Sequence, residues 1–173
     1  MADEMVLTVL ARDRPGLIKA LAETIAQHGG NWIDSSMARL GGEFAGILRV
    51  SVPASQSAAL TKALDRLADA GISVTIRRGE TSHAPREGRR VQLELVGVDH
   101  PGIVHRISAA LAALHISFEE LETRVFAGSM SGEAMFEAKA EIMLPNSVDE
   151  TALRATLEAL AKDLMVDVHL AAT

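Results

Sequence analysis

The 173-residue chain is 48% hydrophobic and 23% charged, which suits one ordinary domain or two small ones and excludes a disordered polymer. Aromatic residues are only 3%, with no tyrosine, so packing rests on Leu, Ile, Val, Ala and Met, and surfaces for stacking bases are poorly supplied. The formal charge is −6, against a duplex-binding footprint, and the lack of cysteine excludes disulfides, thiolate zinc sites and a cysteine nucleophile.

Along the chain, the acidic Met1-Ala2-Asp3-Glu4 precedes an apolar run that stops at Ala11, too short for a signal peptide or a membrane span. A cytoplasmic protein without membrane attachment is the expectation. Met5, Leu7, Val9 and Ala11 alternate as in a strand, and Asp13-Arg14-Pro15-Gly16 then leads into Leu17, Ile18, Leu21 and Ile25, an amphipathic helical stripe. That helix is expected to end at His28-Gly29-Gly30, with Asn31 opening a second strand. Gly41-Gly42 suits a two-residue hairpin into a third strand, Phe44 to Pro53. A second helix carries Leu60, Leu64 and Leu67, and Ile72, Val74 and Ile76 mark a fourth strand. Arg77, Arg78, Arg86, Arg89 and Arg90 against Glu80 and Glu87 then form a locally basic stretch, expected to be a solvated linker.

The same order then repeats. Asp99-His100-Pro101-Gly102 stands 86 residues after the first D-x-P-G, preceded by Val91, Leu93 and Leu95 and followed by Ile103, Val104, Ile107 and Leu111. Phe136 to Pro145 aligns with Phe44 to Pro53 after a longer loop, Gly128 to Gly132, and Leu153, Leu157 and Leu160 repeat the second helix's spacing. Ser147-Val148-Asp149-Glu150 reads as a capping box with Ser147 as N-cap, and Val166, Val168 and Leu170 close the chain as a strand. Each half therefore reads β-α-β-β-α-β, the ferredoxin-like α+β pattern: a four-stranded antiparallel sheet with two helices on one face. The expected division is 1–79, a linker at 80–88, and 89–173.

The D-x-P-G turn can carry chemistry. Proline at the first helical position has a preset φ, glycine clears access to the helix N-terminus, and free N–H groups with a positive dipole there suit a carboxylate. Asp13 or Asp99 beside it either holds an ammonium group or simply caps the helix. Ser117 replaces Asn31 at the equivalent place of the second half, so two such pockets would not be equivalent. Enzyme signatures are lacking: the six histidines show no metal spacing, Ser35 and Ser36 lack a nucleophile elbow, and no phosphate-binding glycine motif occurs. Neither a catalytic residue, nor a metal, nor a cofactor is expected.

Two β-α-β-β-α-β halves, each with D-x-P-G between its first strand and helix, resemble tandem ACT domains, regulatory modules that commonly bind amino acids. The hairpin Asp34-Ser35-Ser36-Met37-Ala38-Arg39-Leu40-Gly41-Gly42-Glu43-Phe44 is similar to that of the glycine cleavage system transcriptional repressor group. The resemblance implies a non-catalytic regulator. Ligands would sit at domain interfaces, in one site touching Asp13, Arg14, Pro15, Gly16, Leu17 and Asn31 of the first half, and in another touching Asp99, His100, Pro101, Gly102 and Ile103 of the second. It further implies glycine as signal and a DNA-binding transcription regulator as partner without direct nucleic-acid contact; a small amino acid, glycine or serine, is the expected ligand, and the small core of each half makes a homo-oligomer the expected assembly. The alternatives are a ligand-free interaction or oligomerisation module and a regulatory subunit of an amino-acid or folate enzyme.

Overall fold

The structure, a computed structural model, describes residues 1–78 and 86–172, so residues 80–85 of the expected linker lie outside the described residues. The chain divides into two compact units, Met1–His83 and Ala84–Thr173. The first comprises β1 (Ala2–Arg12), α1 (Leu17–Gln27), β2 (Asn31–Leu40), β3 (Glu43–Pro53), α2 (Ser57–Asp65) and β4 (Ile72–Arg78). The second comprises β5 (Arg89–Val98), α3 (Ile103–Ala113), β6 (Ser117–Ala127), β7 (Ala134–Leu144), α4 (Glu150–Leu164) and β8 (Val166–Ala172). Each forms a four-stranded antiparallel sheet, in the order β2-β3-β1-β4 and β6-β7-β5-β8. This is the ferredoxin-like α+β fold, twice over.

Alternation decides which face is covered. Met5, Leu7, Val9 and Ala11 of β1 and Leu48, Val50 and Val52 of β3 are buried with Leu17, Leu21 and Ile25 of α1 and Leu60 and Leu64 of α2. The second unit repeats this with Val91, Leu93 and Leu95, Ile103, Ile107 and Leu111, and Leu153 and Leu157. Each fully buried Leu or Ile contributes about 1.5–3 kcal/mol, so these stripes suffice with few aromatics. Phe136 is buried and Phe44 half-buried, each packed against the core of its own unit. The uncovered faces differ: the first mixes Thr8, Leu10, Ala45 and Ile47, the second ladders charges such as Arg124 against Glu137 and Glu122 against Lys139.

One core position is exchanged between the halves. Ser35 of β2 stands opposite Leu48 of β3, whereas Leu121 of β6 stands opposite Ala140 of β7. Leu48 fills its place from the central strand. In the second unit Ala140 leaves a shallow apolar crevice beside α3, and Leu121 reaches into it from the edge strand. Both edge strands are bulged at the same point, Ile33 and Glu119 being the extra residues.

The turns show where sequence reading of the caps fails. Gly41 and Gly42 both take positive φ in the expected two-residue hairpin. Helices α1 and α3 begin two residues later than expected: Gly16 and Gly102, at φ 91 and 93, are the N-caps, and Pro15 and Pro101 precede the helix. A left-handed glycine after proline makes a type II turn, which helical φ/ψ cannot span. Neither helix has a side-chain cap, so the capping role considered for Asp13 and Asp99 is overturned. Asp149, not Ser147, is the N-cap of α4, accepting from Thr151 N at 3.2 Å. The Glu150 carboxylate does not reach back, because Arg89 and, at 3.2 Å, Arg154 hold it.

Helix α1 ends in a Schellman motif: Gly29 N donates to Ala26 O at 3.0 Å and Gly30 N to Ile25 O at 2.9 Å. The second unit makes the same bonds from His115 and Ile116, and His115 must adopt φ 56. Met165, at φ 53, likewise stands where the first unit has Gly71. A side chain in this region is strained, so His115→Gly and Met165→Gly should each stabilise the second unit by about 0.5–1 kcal/mol. Urea unfolding followed by far-ultraviolet circular dichroism measures this, and an unchanged or lower midpoint would contradict it.

Candidate functional site

Both D-x-P-G turns are built alike. The hairpin beside each turn fixes its first residue: Asp13 N donates to Gly42 O at 2.9 Å and Asp99 N to Ala134 O at 2.8 Å. The first intrahelical bonds run from Ala20 N to Gly16 O and from Arg106 N to Gly102 O. The N-terminal N–H groups of both helices carry no side-chain cap, and a Cβ at either glycine would meet no atom within 4 Å. Open space over uncapped helix donors and a partial positive charge is what a carboxylate requires. Leu17 and Ile103 anchor the turn from below, both buried.

The structure brings Asp13 through Leu17 together in one unit and Asp99 through Ile103 together in the other. It does not bring Asn31 to the turn of its own unit. Asn31 pairs with Ser51, which pairs with Glu4, so along β1 Asn31 lies nine residues from Asp13, about 30 Å at strand rise. Ser117 is placed the same way through Met143 and Arg90. Both residues are exposed at the start of an edge strand.

Two features were missed by sequence reasoning. Arg39 of β2 places its Nε 2.6 Å from Asp13 Oδ2, so that carboxylate already has a cationic partner. Counting back from Gly41-Gly42 sets Arg39 opposite Phe44, itself opposite Ala11, and this register is the signal that would have found it. Val125 stands in the equivalent place of the second unit, opposite Phe136. The second feature is the variable residue of D-x-P-G. Arg14 donates from Nη2 to the Ala70 carbonyl, while the His100 ring lies with Nε2 2.9 Å from Leu164 O and Nδ1 3.1 Å from Pro101 O. Those two carbonyls raise the His100 pKa above its ordinary value.

The basic stretch between the units is engaged by acidic groups at its described end. Arg86 meets Glu119 at 2.7 Å, Arg90 meets Glu141 at 3.2 Å, and Arg89 meets Glu150. Among the described residues no three His, Asp or Glu stand together as a metal-holding group, and no helix is long and apolar enough to cross a membrane.

Comparison with known proteins agrees with this repeat. The chain is 24% identical over 161 residues to the glycine cleavage system transcriptional repressor of Escherichia coli K12, spanning 92% of this chain and 85% of that protein. A crystal structure of an unknown protein from Galdieria sulphuraria superposes with a TM-score of 0.85 at 27% identity, covering 100% of this chain and 99% of that one. A solved structure provisionally assigned as a glycine cleavage system transcriptional repressor superposes at 0.72 with 20% identity, covering 99% and 97%, a likeness of fold. The ACT domain model matches residues 3–76 and again 89–171. With both ferredoxin-like units matched, the chain belongs to the ACT domain family and carries the domain twice.

Proposed function

We propose that the protein is a non-catalytic, cytoplasmic regulator that senses a small amino acid, glycine or serine, and controls transcription by holding a DNA-binding regulator. The observation that carries this reading is the repeated turn itself, in which a left-handed glycine opens an uncapped helix N-terminus directly beside a carboxylate. The helix end takes the ligand's carboxylate and Asp13 or Asp99 its ammonium group, with Arg14, Pro15, Gly16 and Leu17, or His100, Pro101, Gly102 and Ile103, shaping the turn. Asn31, at the far end of its own sheet, contributes an amide at a separate position. The likeness to the Escherichia coli repressor supports the regulatory role, and the acid-paired arginines of the basic stretch support a protein partner over nucleic acid. A ligand acts by shifting population, by no more than its difference in affinity between two arrangements. A homo-oligomer is the expected working state.

Isothermal titration of the full-length protein against the twenty amino acids tests the reading. Saturable binding of glycine or serine is expected, weakened roughly tenfold or more by Asp13→Ala with Asp99→Ala, since a charge-assisted hydrogen bond contributes about 1.5–3 kcal/mol. Folded protein that binds none of the twenty would sink it.

A further inference from the structure

We infer that His100 is a proton-dependent strut that holds the second unit's D-x-P-G turn in its ligand-ready geometry, whereas Arg14 makes the corresponding strut of the first unit permanent. The inference rests on the amino-acid reading of the turns for its functional consequence, and on geometry for the strut.

In both units the residue after the aspartate reaches to the end of the second helical segment and meets the last carbonyl before the chain passes through a left-handed residue. Arg14 donates to the carbonyl of Ala70, the last residue of a 3-10 turn (Arg66–Ala70) that continues α2, followed by Gly71 at φ 77, and His100 meets Leu164 O, followed by Met165 at φ 53. A carbonyl at a helix C-terminus lacks an intrahelical donor and lies at the negative end of the dipole, so a cation is favoured there. Arginine supplies one at any physiological pH. Histidine supplies one only when protonated, and both of its ring nitrogens face carbonyl oxygens, at 2.9 and 3.1 Å. Neutral imidazole has a single N–H, so one carbonyl must then face a lone pair; imidazolium donates to both.

The charged groups around the ring agree with this. The two carbonyls dominate; burial opposes the imidazolium next, ahead of Asp99 in the same turn, which favours it, and Arg106 on α3, which opposes it. Arg106 is itself held by Asp163 at 3.2 Å, and Lys162 is the neighbouring cation in the last turn of α4. Because the folded state binds the proton more tightly than the unfolded chain, the strut's contribution is complete below the ordinary histidine value of 6.5 and is lost as pH rises through the folded value. Above it, the neutral ring donates to only one of the two carbonyls and carries no charge, so the tie of the α3 N-terminus to α4 weakens, and a ligand must order the turn as it binds.

The strut is read without ligand. The amide protection factor of Arg106, whose N–H donates to Gly102 O at 3.0 Å, and the His100 ring resonances, followed from about pH 6 to about pH 8.5, should show protection falling as the ring deprotonates. His100→Arg should hold protection flat and high, His100→Gln flat and low. Titration of glycine and L-serine into Asp13→Ala protein, which leaves the second turn, should weaken roughly tenfold across the same range, a change that His100→Arg abolishes. Flat protection in the unsubstituted protein, or failure of His100→Arg to restore it at high pH, would overturn the strut. If protection follows the ring while neither amino acid binds, the strut stands and the ligand assignment falls.

Discussion

Leu48→Ala should destabilise the first unit by about 2–5 kcal/mol, and Ser35→Leu in the same chain should return about 1–2 kcal/mol of it. Leu48 has no exposed surface and sits on β3, between the edge strand and β1, so its truncation leaves a hole that the sheet backbone cannot close. The second unit already contains the repaired arrangement: Ala140 on the central strand, with Leu121 entering from the edge and remaining 41% exposed. Only part of the leucine is therefore recovered. The sole tryptophan, Trp32, packs half-buried against the first unit's core, so its fluorescence during urea unfolding reports on that unit alone. A small domain has about 5–15 kcal/mol in hand, so the single variant should shift the midpoint strongly. The pair is expected midway; a double variant no more stable than Leu48→Ala would show that the two halves solve this position independently.

What could be read from the sequence follows from range. Met5, Leu7, Val9 and Ala11 announce a strand, and Leu17, Leu21 and Ile25 a helix, because both periods are local and each is repeated 86 residues on with the same face buried. Capping needed one more piece of geometry. Proline followed by glycine has the composition of a helix start, but a glycine at φ 91 belongs to the turn, and this moves the N-cap past Pro15. Ser147 and Asp149 were both chemically able to cap α4, and Arg89, 61 residues from Glu150, helps to decide against the reciprocal box by taking its carboxylate. Arg39 beside Asp13 and the struts from Arg14 and His100 depend on pairing between strands or on a helix end more than fifty residues away, which spacing alone does not place. The turn residues were thus legible as a group, while the partners that tune them were not.

Gly97→Ala should cost the second unit about 1–3 kcal/mol through overpacking and should loosen its turn at the same time. Gly97 is the last inward position of β5, two residues before Asp99, paired with Phe136 on one side and Val166 on the other. A Cβ there would come within 2.6 Å of Val166 Cγ1, 2.7 Å of Met165 O and 2.8 Å of Val166 Cα, and two of those three are backbone atoms that cannot rotate away. The first unit carries Ala11 at the same ladder position, opposite Phe44 and Ile72, buried without difficulty. The missing atom in the second unit therefore sets how closely β8 approaches β5. Restoring it must push back Met165 and Val166, and Leu164, whose carbonyl meets His100, moves with them. Two measurements should change together: a lower urea midpoint by circular dichroism, and low protection of the Arg106 amide, which donates to Gly102 O, even at about pH 6, where the imidazole is charged. A lower midpoint with wild-type protection would mean that β8 yields without disturbing the strut, and an unchanged midpoint would mean that the close approach of the two strands contributes nothing to the fold.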